Sequence, residues 1–387
     1  MLLSLALLLL LERSCATMVA APYAERPCAG IFFVYFQDDQ KIRFALSRDG
    51  FHWSALYNNA PIPGLDGDNT TAVRDPFINY DPVGDIYRMV ATDGYKFGHD
   101  SLIWYWESKD LLSWTKQRAL PVMDKFKDSL QDTWAPEWIW DAAASEYVVF
   151  WTTRWLPGKE QGFGPACSNK NVRRFVQYHT RTKDWQTFEP PTLLIDMHCS
   201  TEAFAPMTVG DGGYDTDIVR SPADGLYYAY FKDMRAPTTK IGGKPWTDKS
   251  VQPWSGVHVC SSPDLRNWSL PMPHTHGLDP AFIGMWGAEG PEVLLINKTT
   301  MHIYFDCSFE PTPKGYERPP FGMATAPYPQ GFTDAGSWKS VKGSCTGNNT
   351  GAGGVSFPRN ASQGSFVCVS NVQYAALEAK WGAKSAR

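Results

Sequence analysis

The chain has 387 residues, of which 43% are hydrophobic and 14% are aromatic, and its formal net charge is −4. A weakly acidic chain without a basic cluster lacks the surface that nucleic-acid binding needs, so nucleic acid is excluded as a partner. Two or three domains would fit this length, but all-β rings of this size commonly form one, and no linker-like stretch interrupts the chain.

The first segment is apolar. Residues Leu2 to Leu11 form an almost unbroken apolar run, and small residues follow at positions 19–21. A run this short cannot cross a bilayer as a helix, which takes about 20 residues. It predicts a signal peptide over residues 1–21 of a secreted protein without a membrane partner. Asn-x-Ser/Thr glycosylation acceptors, compatible with secretion, stand at Asn69, Asn267, Asn297, Asn348 and Asn360.

The remainder, residues 22–387, is expected to form one domain and to act as a monomer. The cysteines outside the predicted signal peptide are Cys28, Cys167, Cys199, Cys260, Cys307, Cys345 and Cys368. None has the close Cys-x-x-Cys spacing of a zinc site, and an odd number in a secreted chain predicts a few disulfides and one thiol.

A short phrase, Ser/Thr-x-Asp-x-x-x-Trp/Phe, recurs along this domain. Its copies are Ser47 to Trp53, Ser108 to Trp114, Thr182 to Phe188 and Ser262 to Trp268. Their starts lie 61, 74 and 80 residues apart, a spacing that suits one four-stranded propeller blade per copy. The phrase itself is expected to be structural, because its Asp can accept hydrogen bonds from backbone N–H groups in a turn between outer strands.

Strand-like runs precede each copy in pairs, and a further pair follows the last copy. The first runs of the pairs are Ile31 to Phe36, Ile86 to Ala91, Tyr147 to Trp151, Leu226 to Phe231 and His302 to Phe305. The second runs are Ile42 to Leu46, Leu102 to Glu107, Phe175 to His179, Gly256 to Cys260 and Phe321 to Thr325. Alternation and aromatic enrichment identify all of them as strands, so the five pairs predict five blades.

Innermost strands complete the predicted blades. Candidates upstream of four pairs are Pro76 to Tyr80, Trp138 to Trp140, Asp217 to Arg220 and Val293 to Ile296. The first pair has no such strand before it, but Ser365 to Ser370 near the end of the chain can supply it. The predicted fold is therefore an all-β, five-bladed β-propeller whose C-terminal strand joins the N-terminal blade, followed by a short helix within Asn371 to Trp381.

Carboxylates stand at the starts of four predicted inner strands. They are Asp75, Glu137, Asp215 and Glu289. Inner strands line the central channel, so these groups are expected to gather at one of its mouths. Clustered carboxylates repel one another, which indicates either tuned pKa values or a bound cation.

The motifs around these acids resemble those of glycoside hydrolase family 43. They are Arg74-Asp75-Pro76-Phe77-Ile78, Trp134-Ala135-Pro136-Glu137, Asp215 with Ile218-Val219, and Glu289-Gly290-Pro291. Members of that family are five-bladed inverting enzymes that act on arabinans, xylans and related polymers. The resemblance extends from the Ile31 strand to Leu377, and it implies a secreted glycosidase with an oligosaccharide or polysaccharide as substrate.

The resemblance also implies roles for the acids. Asp75 is expected to be the general base, Glu289 the general acid, and Asp215 the third carboxylate that orients the acid and tunes its pKa. Asp217, two residues on, is an alternative for the third carboxylate. An inverting enzyme needs its base and acid roughly 6.5–9.5 Å apart.

Substrate contacts are expected from Arg74, Trp134, Glu137 and Trp286. The family often has a His-Gly pair at the start of its last inner strand, whereas Gln363 precedes Gly364 here. An amide cannot titrate like histidine, so we expect no cofactor or metal, and this residue disfavours the alternative of a structural calcium ion. Long insertions, Leu156 to Val172 and Ala236 to Trp254, are expected to reshape the pocket rim.

Two other functions remain open from the sequence. One is a retaining propeller hydrolase of the fructosidase or sialidase type, although the Asn-Asp-Pro motif of fructosidases is missing. The other is a carbohydrate-binding propeller without catalytic activity, which would keep much of the same motif set.

Overall fold

The structure is a computed structural model, and it describes residues 28–65, 72–94, 101–156, 159, 175–195, 213–233, 257–269, 288–307, 310–312, 315–317, 321–344 and 354–382. These residues form small antiparallel sheets arranged as a five-bladed β-propeller, the fold that the sequence predicts.

The strands follow one another blade by blade. Blade 1 begins with β1 (Gly30–Phe36), β2 (Arg43–Ser47) and β3 (Ser54–Ala55). Blade 2 consists of β4 (Val73–Asp81), β5 (Ile86–Asp93), β6 (Ile103–Ser108) and β7 (Arg118–Leu120). Blade 3 consists of β8 (Leu130–Asp141), β9 (Glu146–Trp155), β10 (Phe175–Thr182) and β11 (Thr192–Leu193).

The remaining blades follow the same order from inner to outer strand. The described part of blade 4 consists of β12 (Gly213–Arg220), β13 (Tyr227–Asp233) and β14 (Val257–Ser262). Blade 5 begins with β15 (Ala288–Asn297) and β16 (Thr300–Cys307). A small separate hairpin of β17 (Glu310–Thr312) and β18 (Gly315–Glu317) follows in the chain. Blade 5 is completed by β19 (Gly322–Pro327) and β20 (Lys339–Ser340). The last strand, β21 (Ser362–Val369), pairs with β1 and becomes the inner strand of blade 1.

Pairing of β21 with β1 closes the ring. The inner strands contact one another in the cyclic order β21, β4, β8, β12, β15 and again β21. Five buried apolar clusters lie between successive blades in the described part of the chain, including one between blades 5 and 1. A disulfide between Cys28 and Cys368 joins the two ends of the ring, at a sequence separation of 340. The prediction of a ring closed by the chain termini is confirmed.

The described helical segments are short. They are α1 (Gln330–Thr333), α2 (Asn371–Trp381) and the 3₁₀ turns Tyr57–Asn59, Asp124–Phe126 and Ala335–Ser337. Helix α2 begins with a capping box, because the Ser370 Oγ accepts from the Gln373 N–H while the Gln373 side chain accepts from the Ser370 N–H. Among the described residues, no helix has the length and apolarity that a membrane crossing requires.

The recurring phrase forms the same turn after the third strand of blades 1 to 4. In each copy, one Asp oxygen accepts from the two N–H groups two and three residues ahead, at 2.8–2.9 Å. The residue directly after each Asp has a positive φ, and these residues are Gly50, Leu111, Trp185 and Leu265. The phrase therefore has the turn-capping role that its sequence predicts.

Candidate active site

Four inner strands carry the same β-bulge. Two residues of the inner strand face one residue of the second strand at Asp75-Pro76, Ala135-Pro136, Asp215-Thr216 and Gly290-Pro291. The first residue of each pair has a positive φ, between 43° and 52°. Proline suits the second position because a bulge residue makes no ladder hydrogen bond. Each bulge bends its strand and re-aims the side chains beside it.

The bulges give the four blades a common register. The residues just before the bulge are Arg74, Trp134, Tyr214 and Glu289, and those just after it are Phe77, Glu137, Asp217 and Glu292. Asp75 and Asp215 thus occupy equivalent positions at the bulge, whereas Glu289 lies one residue earlier in its strand. This register separates Asp215 from Asp217, the alternative third carboxylate.

The structure brings Asp75, Asp215 and Glu289, here called the site carboxylates, into one neighbourhood. Asp215 is 6% exposed, and burial raises its pKa well above the ordinary value. The negative charges of Asp75 and Glu289 raise this pKa further, while the Lys232 ammonium and a hydrogen bond from Gln363 oppose the rise. Acids from blades 2, 4 and 5 therefore act on one another across the ring axis.

Threonine hydroxyls support the bulges from the neighbouring blade. The Thr92 hydroxyl donates to the Asp75 carboxylate at 2.9 Å, and it accepts from the Ala135 N–H of blade 3 at 2.7 Å. Thr152, the equivalent residue of blade 3, accepts from the Asp215 N–H of blade 4 at 3.3 Å. The bulges of blades 3 and 4 are thereby held by the second strand of the blade before each of them.

A lysine replaces the threonine in blade 4 and contacts Glu289. The Lys232 ammonium pairs with Glu289 Oε1, and the two side chains are 5% and 21% exposed. The Tyr214 hydroxyl donates to the same oxygen at 3.0 Å. The Glu289 carboxylate is thus positioned by two side chains of blade 4. No sequence motif marks Lys232, because nothing distinguishes it from other strand residues.

Glu137 belongs to a second group of acids beside Asp215, whose negative charge also raises the pKa of Glu137. It forms a buried trio with Asp217 and Glu292, and each member is at most 7% exposed. Burial and mutual repulsion raise the pKa of Glu137 and Glu292 well above the ordinary value. Burial raises the pKa of Asp217 to about 7, even though its Oδ2 accepts from the Val293 N–H at 2.6 Å.

The trio includes a residue that sequence reasoning missed. Glu292 follows Pro291 as Glu137 follows Pro136, and this repeated Pro-Glu pair on two inner strands is the signal that would have found it. The Glu292 carboxyl group raises the pKa of Glu137, so the two groups are close neighbours inside the ring.

The other predicted substrate-binding residues lie in different surroundings. The Arg74 guanidinium lies 5.2 Å from the centre of the Phe36 ring. One face of Trp134 is covered by the Arg154 guanidinium, 4.5 Å from the ring centre. Trp286 and most of both long insertions lie outside the described residues. Within the described ranges, no group of three or more His, Cys, Asp or Glu residues has the arrangement of a metal site.

Comparison with solved structures finds chains of similar fold. An endo-1,4-β-xylanase structure from Bacteroides thetaiotaomicron superposes with a TM-score of 0.51 at 12% identity, covering 82% of this chain and 92% of the other. An α-L-arabinofuranosidase structure from Lactobacillus brevis gives a TM-score of 0.45 at 14% identity, covering 72% and 76% of the two chains. At these identities, the xylanase likeness shows the fold alone.

Sequence comparison identifies the family. An α-L-arabinofuranosidase from Bifidobacterium longum subsp. longum is 24% identical over 297 residues, which are 70% of this chain. The chain spans about a quarter of that relative's length, since the match covers 25% of it. The family model for proteins related to glycosyl hydrolase family 43, described as "Probable glycosyl hydrolase domain", matches residues 26–237, more than half of the chain. The chain therefore belongs to this glycosyl hydrolase 43-related family.

Proposed function

We propose that the protein hydrolyses O-glycosidic bonds of oligosaccharides or polysaccharides by a single inverting displacement. The observation that supports this most directly is the electrostatic coupling of Asp215 to both Asp75 and Glu289. Such coupling between acids that lie far apart in the sequence supports general acid–base hydrolysis of a glycoside, which needs a pair of carboxyl groups at one site. Family membership agrees with glycosidase chemistry.

In the proposed reaction, Asp75 is the base and Glu289 the acid. Asp75 takes a proton from a water molecule while the water oxygen bonds to the anomeric carbon. The bond between that carbon and the leaving oxygen breaks, and Glu289 gives this oxygen its proton. The hydrogen bond from Thr92 orients Asp75, and Asp215 supplies negative charge that favours the protonated acid.

Arabinofuranosyl and xylosyl groups are the proposed sugars. An arabinofuranosidase is a sequence relative, and a xylanase shares the fold. Arg74 and Trp134 stand directly before the bulges of two inner strands, so both are proposed to contact the sugar beside the acids. Glu137, in the interior, and Trp286, which lies outside the described residues, are also proposed to contact substrate.

We further propose that the protein is secreted as a monomer and that residues 22–387 form one domain after removal of residues 1–21. The apolar start of the chain supports this. The disulfide between Cys28 and Cys368 does so as well, because disulfides persist in oxidising compartments.

The test is hydrolysis by the purified protein of aryl arabinofuranosides, xylosides and galactosides, and of polymeric arabinan and xylan. We expect Asp75→Asn to lower kcat by about a hundredfold to ten-thousandfold. Glu289→Gln should impair polysaccharide hydrolysis more than aryl glycoside hydrolysis, because an aryl leaving group needs little protonation. Asp38→Asn, at an exposed carboxylate, serves as the matched control.

The product anomer decides the stereochemical part of the proposal. Proton NMR during the first turnovers should show the anomer opposite to that of the substrate. The same anomer would indicate a retaining hydrolase instead. Saccharide binding without turnover on the whole panel would indicate a non-catalytic propeller, and activity that survives in both acid variants would refute the assigned roles.

A further inference from the structure

Gln363 occupies the bulge position of the fifth inner strand. The pairing of β21 with β1 sets Gly364 opposite Tyr35 and Ser362 opposite Phe36, so Gln363 is the extra residue between them. Its N–H donates to Asp306 Oδ2 of blade 5 at 3.2 Å. Asp215 is held in the same way by Thr152 of the blade before it. Blade 1 thus presents Gln363 at the level where blades 2 and 4 present Asp75 and Asp215.

The Gln363 side chain crosses the bulge of blade 5. A Cβ atom added to Gly290 would lie 2.6 Å from Gln363 Cγ and Cδ and 2.8 Å from its Nε2. Such separations are too short for any non-bonded contact, so only glycine at position 290 leaves room for this side chain. The positive φ of Gly290, 52°, favours glycine independently. Gln363 is 9% exposed, so its amide is largely shielded from water.

The amide of this side chain reaches Asp215. Held against Gly290, the amide acts on the Asp215 carboxylate as a donor and lowers the pKa of Asp215, against the stronger effects of burial and of the charges on Asp75 and Glu289. The charged and titratable groups that act on or around Asp215 are Asp75 on β4, Glu137 on β8, Tyr214 on β12, Lys232 on β13, and Glu289 and Glu292 on β15. Lys232 is the cation among them, and Gln363 is the neutral donor.

We propose that Gln363 is a positioning residue, whose amide fixes the orientation and the ionisation of the Asp215 carboxylate at the site. An imidazole in this position would gain a positive charge as the pH falls. An amide remains a neutral donor throughout, so its support of Asp215 does not change with pH. Because β21 supplies the residue, closure of the ring also completes the environment of Asp215. The catalytic consequence rests on the proposed function, whereas the contact itself does not.

The contact can be tested without a substrate. Infrared difference spectra of the full-length protein, recorded as a pH titration, show the carbonyl stretch of protonated carboxyl groups, and Asp215→Asn identifies the band of Asp215. In Gln363→Met, which keeps the length of the side chain but has no N–H donor, this band should titrate about one pH unit higher. An unchanged titration would overturn the proposal, even if the protein hydrolyses no glycoside.

Kinetics test the catalytic consequence on whichever substrate the panel identifies. Gln363→Met should lower kcat by about tenfold or more with KM nearly unchanged, and the acidic limb of the kcat profile should move to higher pH. Gln363→His retains an N–H donor and should restore both properties in part. If Gln363→Met lowers kcat without moving the acidic limb, the residue is structural only and the proposal fails.

A matched control separates positioning from folding. Ser365 lies on the same strand and accepts through its Oγ from the Ile78 N–H at 2.5 Å, away from the carboxylates. Ser365→Ala should lower the melting temperature and leave the titration of Asp215 unchanged. If Gln363→Met does not fold, Gly290→Ala replaces it, since the added methyl group displaces the same amide. A titration of Asp215 at its original pH in that variant would also overturn the proposal.

Discussion

At the scale of single residues, the contact between Lys232 and Glu289 sets a condition on the proposed mechanism. An ammonium beside a carboxylate stabilises its ionised form, yet a general acid must carry a proton when the glycosidic bond breaks. Lys232 also lowers the pKa of Asp215. The pH at which the site carries one proton is therefore determined jointly by one buried lysine and the site carboxylates.

Replacing this lysine should move the pH profile in a defined direction. In Lys232→Met, the protonated form of Glu289 becomes more favourable and the pKa of Asp215 rises, so both limbs of the kcat/KM profile should shift to higher pH. A shift of about one unit corresponds to roughly 1.4 kcal/mol. Lys232→Arg keeps the charge and is the control. A profile that stays in place in Lys232→Met would show that the cation does not act on the reacting carboxylates.

The residues of the candidate site were predictable from the sequence only where a motif marks them. Asp75, Asp215 and Glu289 stand in motifs with fixed neighbours, and the structure places all three together. Lys232 lies on β13 of blade 4 and contacts Glu289 of blade 5, whereas Gln363 on β21 reaches the site through the closure of the ring. Each contact joins residues more than 50 positions apart, which local sequence patterns do not encode.

At the scale of elements, the inner strands differ most from expectation. The strand predicted at Trp138 to Trp140 begins at Leu130, and the one predicted at Pro76 to Tyr80 begins at Val73. Proline cannot donate to a ladder, so the interior of a strand is an unusual place for it. Here it sits inside the strand, at the second position of a bulge. The acids consequently lie inside the inner strands, with Asp75 and Asp215 in the bulges and Glu289 and Glu137 beside them.

The repeated turn was predicted correctly because all of its hydrogen bonds are local. Asp110 accepts from the Leu112 and Ser113 N–H groups at 2.9 and 2.8 Å. Burial alone would raise the pKa of Asp110, but these hydrogen bonds lower it overall. Since the phrase recurs in four blades, one copy can be altered while the others remain intact.

Removal of one such carboxylate should cost measurable stability. Asp110→Ala deprives two backbone N–H groups of their acceptor, and we expect a loss of about 1–3 kcal/mol in the free energy of unfolding. Asp110→Asn keeps an acceptor oxygen and should lose less. Thermal unfolding measures both variants against Asp128→Ala, an exposed position outside the phrase. Equal melting temperatures for Asp110→Ala and Asp128→Ala would contradict the capping role.

At the scale of the whole molecule, the ring depends on contacts between residues far apart in the chain. Each apolar cluster joins two neighbouring blades, and the cluster between blades 5 and 1 joins Ile31 and Phe33 to Tyr304 and Phe321. The disulfide between Cys28 and Cys368 lies at the same junction and connects the two strands that close the ring. The ring therefore has one junction that the covalent chain alone does not connect.

This junction should respond cooperatively to loss of the disulfide. A crosslink that encloses so much of the chain restricts the unfolded state strongly, and its removal is expected to cost about 2–5 kcal/mol. Cys28→Ala, Cys368→Ala and the double variant should show the same loss in melting temperature, because each of them removes the same bond. The catalytic constants well below the melting temperature should stay near those of the parent, since β21 remains paired with β1 through its backbone. If the double variant instead loses the sum of the two single losses, the cysteines act through separate packing contacts and the ring is not closed by their bond.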